Sequence, residues 1–209
     1  MLDLDIRREI VSVMRRMYMR ALITSMSGNV SRRANDRRRF WITPSGADKY
    51  LLDPEDLSLV DIESGERVAG LQPSSEYRMH LEIYRSIDDA EAIVHAHPPY
   101  MIALAHALKE ETLRRIIEEY SRDLYEVKYY IGGRVAILGR LEPGTEELAR
   151  SVAEALYREK TSIAILKDHG VVAFDKNLYK ALNKVEVVED LSRIILHSIL
   201  ATSSLNKIL

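Results

Sequence analysis

Two histidines close an apolar run in the segment AIVHAHPPY, residues 92–100. Side chains alternate between the two faces of a β-strand, so His95 and His97 are predicted on one side of a strand, about 7 Å apart along the chain. Pro98 cannot donate to a sheet ladder and favours an extended backbone at His97, which predicts that the strand ends here. The two imidazoles could bind one metal ion at the rim of a sheet, or they could be exposed polar side chains at a strand end.

A third imidazole is available in the segment KDHG, between the apolar runs IAIL and VVAF. Gly170 is expected to provide a sharp reversal that brings His169 to the same rim. Because the chain has no cysteine, a transition-metal site has to be made from histidine and carboxylate ligands. Three histidines would leave a position open for water or substrate, which is the catalytic arrangement of zinc.

A candidate carboxylate and a candidate anion site coincide in the segment QPSSEYRMH. The motif PSS is typical of a helix start, so Glu76 is predicted in the first turn of a helix that runs from about Ser75 to Ser86. The hydroxyls of Ser74 and Ser75 and the exposed N–H groups could hold a phosphate, with Glu76 beside it as a base. The alternative is an ordinary N-cap followed by an acidic first turn.

Two further segments could bind an anion. In SGNVS, Gly28 lets a ligand approach the backbone and Asn29 offers an amide side chain. Ser45 and Gly46 in ITPSG form the other. Glycine and serine also mark plain turns, so each segment could be no more than that.

Helix and strand patterns alternate along the chain. Apolar residues at helical spacing predict an amphipathic first helix from about Asp3 to Leu22. The other predicted elements are strands at Gly28–Arg33, at Arg39–Thr43 and on both sides of a Ser64-Gly65 turn, the helix before the histidine strand, a helical segment at Ile102–Ala107, a strand at Val135–Leu138, a helix at Thr145–Tyr157, strands at Ile163–Leu166 and VVAF, and a long last helix from about Asn177. Hairpins beside helices predict an α/β protein with a largely antiparallel or mixed sheet covered by helices on both faces.

Composition sets further limits. The chain has 209 residues, of which 46% are hydrophobic, and no segment resembles a linker, so residues 1–209 are predicted to form a single domain. No apolar run approaches about 18 residues and the N-terminal residues lack an apolar signal core, so a cytoplasmic protein that does not enter a membrane is expected. A net charge of -2 gives no attraction to nucleic acid, and the arginines at positions 32–39 are predicted to form a solvated hairpin.

In order and spacing, the segments SGNVS, ITPSG, PSSE, HAHP and DHG resemble those of the class II aldolase family, which includes fuculose-1-phosphate aldolase, ribulose-5-phosphate 4-epimerase and the adducin head. The resemblance covers nearly the whole chain. It implies a three-layer α/β/α domain with a central, mostly antiparallel sheet, a cyclic homotetramer and one zinc ion per subunit near a subunit boundary. The residues that match the zinc ligands are His95, His97 and His169, with Glu76 as the acid/base that also coordinates resting zinc. The residues that match the phosphate pocket are Gly28, Asn29, Ser45, Gly46, Ser74 and Ser75.

The residue at position 76 bears on the reaction that the resemblance implies. The epimerase pattern has aspartate there and the aldolase pattern has glutamate, so Glu76 favours aldol chemistry. The implied reaction is reversible cleavage of a ketose 1-phosphate, of the fuculose 1-phosphate type, to dihydroxyacetone phosphate and an aldehyde such as lactaldehyde. Tyr120 is similar in position to a tyrosine that donates a proton from a neighbouring subunit, with Tyr125, Tyr129 and Tyr130 as rivals.

Several alternatives stay open. The same scaffold could epimerise a pentulose phosphate or dehydrate a sugar phosphate, and a module like the adducin head would have no catalytic activity. Lys167 could form a Schiff base in a metal-independent aldolase. His80 lies one helical turn from Glu76 and could reach the same site, whereas His106 and His197 are expected to face solvent or to pack. Cobalt or manganese could replace zinc at a histidine site.

Overall fold

The structure is a computed structural model that describes residues 3–205. Its strands are β1 (Asn29–Arg33), β2 (Arg39–Ile42), β3 (Ser58–Asp61), β4 (Arg67–Ala69), β5 (Ala92–Ala96), β6 (Ala136–Leu138), β7 (Ile163–Leu166) and β8 (Gly170–Asp175). Its helices are α1 (Leu4–Met19), α2 (Tyr77–Ser86), α3 (Pro99–Ala107), α4 (Glu110–Asp123), α5 (Tyr125–Tyr130), α6 (Glu146–Glu159) and α7 (Leu178–Leu205), with a 3-10 turn at Pro54–Asp56.

The strands form one sheet in the order β4-β3-β2-β1-β5-β8-β7-β6. All neighbouring strands are antiparallel except β6 and β7, which are parallel. Helices α2 and α6 pack with one face of the sheet around one buried apolar cluster, and α1, α3, α4, α5 and α7 contribute to a second cluster on the other face. The predicted three-layer α/β/α architecture with a mostly antiparallel sheet is therefore confirmed.

Strand β5 lies in the middle of the sheet, between β1 and β8. Its side chains alternate between the layers: Val94 belongs to the cluster beneath α7, and Ile93 belongs to the cluster beneath α2. All five residues of the strand are buried. His95 follows the same alternation as Ile93, so its ring is directed to the α2 side of the sheet.

Two helices that the sequence patterns had not indicated lie between α3 and β6. Helix α4 buries Leu113, Ile117 and Ser121, and the short α5 buries Val127. The spacing of Leu113 and Ile117 is helical, but the two residues stand among glutamates and arginines that obscure the apolar stripe. The predicted first helix was also too long, because α1 ends at Met19 and Ala21 then adopts a φ of 55°.

The arginine hairpin between β1 and β2 is only partly solvated. Arg33 is buried and donates to the carbonyl oxygens of Tyr84, at 2.6 Å, and Ala90, at 2.8 Å. The predicted solvated hairpin is wrong at this residue, because the guanidinium ties β1 to the end of α2. Within the described residues, no helix is long and apolar enough to cross a membrane.

Candidate active site

The two histidines of the opening motif meet at the end of β5. His95 is fully buried in the strand, and His97 follows directly after it. Their ring centroids are 4.9 Å apart, and the two Nε2 atoms are 3.0 Å apart. The prediction that both rings lie on the same side of the chain is confirmed.

His169 joins them from the turn between β7 and β8. Its ring centroid is 4.9 Å from that of His95 and 5.4 Å from that of His97. The turn itself was predicted for the wrong reason, because the left-handed residue is Asp168, with a φ of 59°, and not Gly170. Gly170 is needed for close approach instead: a Cβ there would lie 2.3 Å from the carbonyl oxygen of Ala96.

Glu76 completes the group. The sequence placed it inside the first turn of a helix that begins near Ser75, but α2 begins at Tyr77 and Glu76 occupies the N-cap position. Its backbone φ and ψ of -98° and 13° lie outside the helical region. Glu76 Oε2 is 3.1 Å from His95 Nε2, and Oε1 is 3.0 Å from His169 Nε2.

The donor atoms of this group fit a cation. His95 Nδ1 lies 3.0 Å from the carbonyl oxygen of Val171, so this nitrogen donates and a neutral ring presents an unprotonated Nε2 to Glu76 and His97. Glu76 Oε1 is likewise buried, 3.0 Å from His169 Nε2. Lone pairs that face one another in a buried site repel unless a positive ion lies between them.

One ligand atom from each of four residues, Glu76, His95, His97 and His169, lies within 4.8 Å of the others. In the part of the chain between residues 3 and 205 no second group of histidine and acidic side chains converges in this way. Three imidazoles and one carboxylate are ligands that zinc, cobalt and manganese accept. The group can therefore hold a divalent metal ion, as the resemblance of the sequence motifs implies.

Burial and neighbouring charges shift the pKa values of the ligand side chains in different directions. Burial raises the pKa of Glu76, but the charges and hydrogen bonds of His95 and His169 outweigh that effect and hold it far below its usual range. Burial, together with the positive charge of His95 and His169, lowers the pKa of His97 to about 3. Burial opposes protonation of His95, yet the Glu76 carboxylate raises its pKa overall. Glu76 is thus an anion and His97 is neutral at pH 7.

The three turns predicted to bind an anion are linked to one another and to this group. A β-bridge joins Pro44 to Pro73, Ser45 N donates to the Gln72 carbonyl at 2.9 Å, and Ser74 N donates to the Thr43 carbonyl at 3.1 Å. The turn of Ser74 leads directly into Glu76. Both ITPSG and PSSE are thereby held beside the metal group.

Gly28 lies in the third predicted anion-binding turn, SGNVS, and approaches strand β5 closely. It has a φ of 71°, and a Cβ there would lie 2.5 Å from Ile23 Cγ2 and 3.1 Å from the carbonyl oxygen of His95. Ser45, Gly46 and Ser75 are exposed, whereas Gly28, Asn29 and Ser74 are buried. The side-chain amide of Asn29 is directed away from any open cradle, because it donates to Glu76 Oε2 at 3.1 Å.

Tyr120 lies in α4, half-buried against the core, where it lines a small cavity with Ser198, Ile199 and Thr202 of α7. Its rivals differ in exposure: Tyr125 is 92% exposed and Tyr129 is 82% exposed. The role of Tyr120 as proton donor stays a prediction. Lys167 donates to the Leu108 carbonyl at 3.3 Å.

The sequence patterns did not single out Lys49, which follows the ITPSG turn. Its side chain is buried, and Nζ donates to the Pro44 carbonyl at 2.6 Å. Burial lowers the pKa of the ammonium group. A lysine in a polar loop carries no local signal of burial, so only the packing identifies it as a support for this turn.

The fold and the convergent histidines define a class of protein, an α/β/α domain in which side chains that can hold a metal ion converge at the rim of a mostly antiparallel sheet. A family model described as Class II Aldolase and Adducin N-terminal domain matches residues 8–196, and the chain belongs to this family.

Individual relatives carry related activities. An L-fuculose phosphate aldolase of Methanococcus maripaludis is 32% identical over 186 residues, which cover 89% of this chain and 93% of that protein. A 3-oxo-tetronate 4-phosphate decarboxylase of Pectobacterium atrosepticum is 32% identical over 189 residues, 90% of this chain and 83% of that protein. The crystal structure of L-fuculose-1-phosphate aldolase from Thermus thermophilus is similar with a TM-score of 0.75 and 31% identity, over 92% of this chain and 94% of that one. The expected enzyme of the class II aldolase type is confirmed.

Proposed function

We propose that this chain is a zinc-dependent aldolase that reversibly cleaves a ketose 1-phosphate of the fuculose 1-phosphate type to dihydroxyacetone phosphate and an aldehyde such as lactaldehyde. The observation that carries the proposal is the convergence of Glu76 with three imidazoles within 4.8 Å. The names of similar proteins, aldolases acting on fuculose phosphate, support it further.

The chemistry follows from the two kinds of group at the site. Cleavage of a carbon-carbon bond beside a ketone leaves negative charge on the donor fragment, and a divalent ion held by the three histidines would stabilise that charge as a Lewis acid. In the synthetic direction Glu76 takes a proton from C1 of dihydroxyacetone phosphate. Cleavage runs in reverse, with Glu76 returning the proton to that carbon.

The two carboxylate oxygens of Glu76 are suited to different tasks. Oε2 accepts a hydrogen bond from Asn29 Nδ2 at 3.1 Å and also faces His95 Nε2 at 3.1 Å. Oε1 is buried and lies 3.0 Å from His169 Nε2. In this proposal Oε2, which Asn29 holds, fixes the orientation of the carboxylate, and Oε1, to which Asn29 does not donate, accepts the proton.

The phosphate of the substrate would bind where the three turns meet. Exposed Ser45, Gly46 and Ser75 offer hydroxyl and N–H donors at this surface, and Gly28 and Ser74 shape the backbone beneath it. Asn29 was predicted for the same pocket, but its side-chain amide donates to Glu76. The phosphate would anchor the substrate so that its ketone lies at the metal group.

A homotetramer with sites near the subunit boundaries is part of the proposal. The strongly exposed Tyr125 and Tyr129 of α5 support it, because large aromatic side chains in solvent are typical of surfaces that contact another subunit. A tyrosine from the neighbouring chain, Tyr120 or one of its three rivals, would then donate the proton to the aldehyde oxygen.

Decarboxylation of a 3-oxo sugar-acid phosphate is a second candidate. A decarboxylase is as similar to this chain, at 32% identity, as an aldolase is. Both reactions break a carbon-carbon bond beside a ketone and leave charge that a Lewis acid stabilises. They differ in the fragment that departs, an aldehyde in one case and carbon dioxide in the other.

Product analysis distinguishes these functions. Zinc-loaded protein would be incubated separately with L-fuculose 1-phosphate, L-ribulose 5-phosphate and 3-oxo-tetronate 4-phosphate, with Glu76→Gln protein as the control. Dihydroxyacetone phosphate and lactaldehyde from the first substrate are expected, with the highest kcat/KM of the three. Release of carbon dioxide from the third as the dominant reaction would replace the proposal by the second candidate, and a pentulose 5-phosphate epimer from the second would replace it by an epimerase.

A further inference from the structure

A buried line of polar side chains leads from helix α2 to the catalytic carboxylate. Tyr84 Oη is 2.8 Å from Ser31 Oγ, and Ser31 Oγ is 2.6 Å from His80 Nδ1. His80 Nε2 is 2.6 Å from Asn29 Oδ1, and Asn29 Nδ2 is 3.1 Å from Glu76 Oε2. All five side chains are buried, and His80 is 0% exposed, so water cannot replace any of these partners.

The hydrogen bonds in this line can run in one direction only. A carboxylate only accepts, so Asn29 has to present its NH2 group to Glu76, which leaves Asn29 Oδ1 as an acceptor facing His80. His80 Nε2 therefore carries the proton. Burial, and then the positive charge of His95, lower the pKa of His80 to about 3, so the ring is neutral at pH 7.

The remaining directions follow from the neutral ring. With its proton on Nε2, His80 accepts at Nδ1, and the single hydroxyl proton of Ser31 is donated there. Ser31 Oγ is then an acceptor for the hydroxyl of Tyr84. Each donor in the line thus has one acceptor, and the tautomer of His80 follows from its two neighbours, Asn29 and Ser31.

We propose that His80 is a positioning residue that selects the orientation of the Asn29 amide and, through it, holds Glu76 Oε2 in place. If the amide were turned over, its carbonyl oxygen would face the carboxylate and repel it. The Nε2–H group of His80 prevents this, because it requires an acceptor at that end of Asn29. This inference rests on the proposed function of Glu76, and it assigns the role of holding that residue to a side chain that touches neither metal nor substrate.

Once the fold is known, the spacing of these residues in the sequence accounts for the line of hydrogen bonds. Asn29 and Ser31 are two apart on β1 and face one side of the sheet. His80 and Tyr84 are four apart on one face of α2, and Glu76, the N-cap of that helix, stands four residues before His80. The two stripes meet because α2 lies over this part of the sheet. Polar residues at these spacings, within an otherwise apolar layer, are what a positioning network requires.

The first test needs neither a variant nor a substrate. Nitrogen-15 NMR of histidine-labelled parental protein reports which ring nitrogen of His80 carries the proton. An Nε2–H tautomer at neutral pH is expected. An Nδ1–H tautomer, or a protonated ring, overturns the inference.

The second test measures cobalt binding, because the visible absorption of bound Co²⁺ reports its ligands. His80→Met keeps the size of the side chain but cannot donate, so the Kd for Co²⁺ should rise about tenfold or more and the absorption bands should change. His80→Gln can donate to Asn29 Oδ1 and should recover most of the affinity. His197→Met, the same change at an exposed site of α7, is the matched control.

Parental affinity and absorption in folded His80→Met protein overturn the inference, and if that variant does not fold the tautomer measurement decides. On the substrate that product analysis identifies, His80→Met should lower kcat about tenfold or more and leave KM within about twofold. If the parental protein and all variants lack aldolase activity but bind cobalt as expected, the proposed function is refuted. The positioning role of His80 then still stands.

Discussion

Gly170→Ala tests the packing that brings the histidines together. The φ of Gly170 is not positive, so an alanine can adopt the same backbone conformation, and the only obstacle is space. Its Cβ would lie 2.3 Å from the Ala96 carbonyl oxygen and 2.9 Å from His97 Cδ2. Strands β5 and β8 would have to separate by about 1 Å to restore ordinary contact.

Overpacking of this kind typically costs about 1 to 3 kcal/mol of unfolding free energy. For a chain of this length that corresponds to a fall in Tm of about 2 to 12 °C. Because the displaced atoms include His97, the Kd for a divalent ion should also rise about tenfold or more. Thermal unfolding of metal-free protein and titration with Co²⁺ measure the two effects separately.

Gly139→Ala is the matched control. Gly139 also has a φ that is not positive, and a Cβ there meets only Glu110 Oε1, at 3.2 Å, the end of a flexible side chain. Its Tm should change by less than about 2 °C. If Gly170→Ala has the same Tm as Gly139→Ala and the same Kd for Co²⁺ as the parental protein, the close approach of β5 and β8 does not position the site.

Three further predictions concern the metal, the phosphate and pH. One divalent ion should bind per chain, so that chelation or His95→Ala abolishes turnover; borohydride trapping of substrate on Lys167 in metal-free protein would contradict this. Ser75→Ala should raise KM for the phosphorylated substrate about tenfold or more, since a hydrogen bond to a charged group contributes roughly 1.5 to 3 kcal/mol; unchanged kinetics would remove Ser75 from the pocket. The neutral form of His80, with a folded pKa of about 3, stabilises the fold above pH ~6.5 and this contribution is lost as the pH falls towards 3. Between pH 7.5 and 5, metal-free parental protein should therefore lose about 2 kcal/mol more unfolding free energy than His80→Gln in urea titrations, and equal losses would refute it.

Local sequence patterns were sufficient to predict that the three histidines lie close together. The alternation of a strand and the position of Pro98 placed His95 and His97 on one side of a rim, and the short loop of KDHG placed His169 near them. These features depend on neighbours in the sequence. The fold class followed for the same reason, since hairpins and amphipathic helices are encoded within short segments.

What the sequence alone did not indicate depends on contacts between distant segments. Glu76 stands before α2 and not within it, because the turn of Ser74 is fixed by the Thr43 carbonyl. The roles of Gly170 and Lys49 require the positions of Ala96 and Pro44. No spacing rule links such pairs before the sheet order is known.

The burial of Arg33 and the hydrogen bonds of His80 also depend on contacts between segments that are distant in the sequence. Arg33 donates to Tyr84 O and Ala90 O, and His80 lies between Ser31 and Asn29, more than 45 residues away along the chain. A hairpin arginine and a helix histidine are ordinarily exposed. Only the docking of α2 on β1 turns these side chains into buried, directional donors and acceptors.

Exchange of the C1 hydrogen of dihydroxyacetone phosphate with deuterated water is the most direct measurement of the central claim, that Glu76 moves a proton at a carbon atom bound beside the metal group. The reaction needs the metal-loaded site and the base but no aldehyde, so it is independent of which acceptor the enzyme uses. Parental protein should catalyse the exchange, and Glu76→Gln protein with the same metal content should do so about a hundredfold more slowly or worse. Exchange at the parental rate by zinc-loaded Glu76→Gln protein would contradict the account.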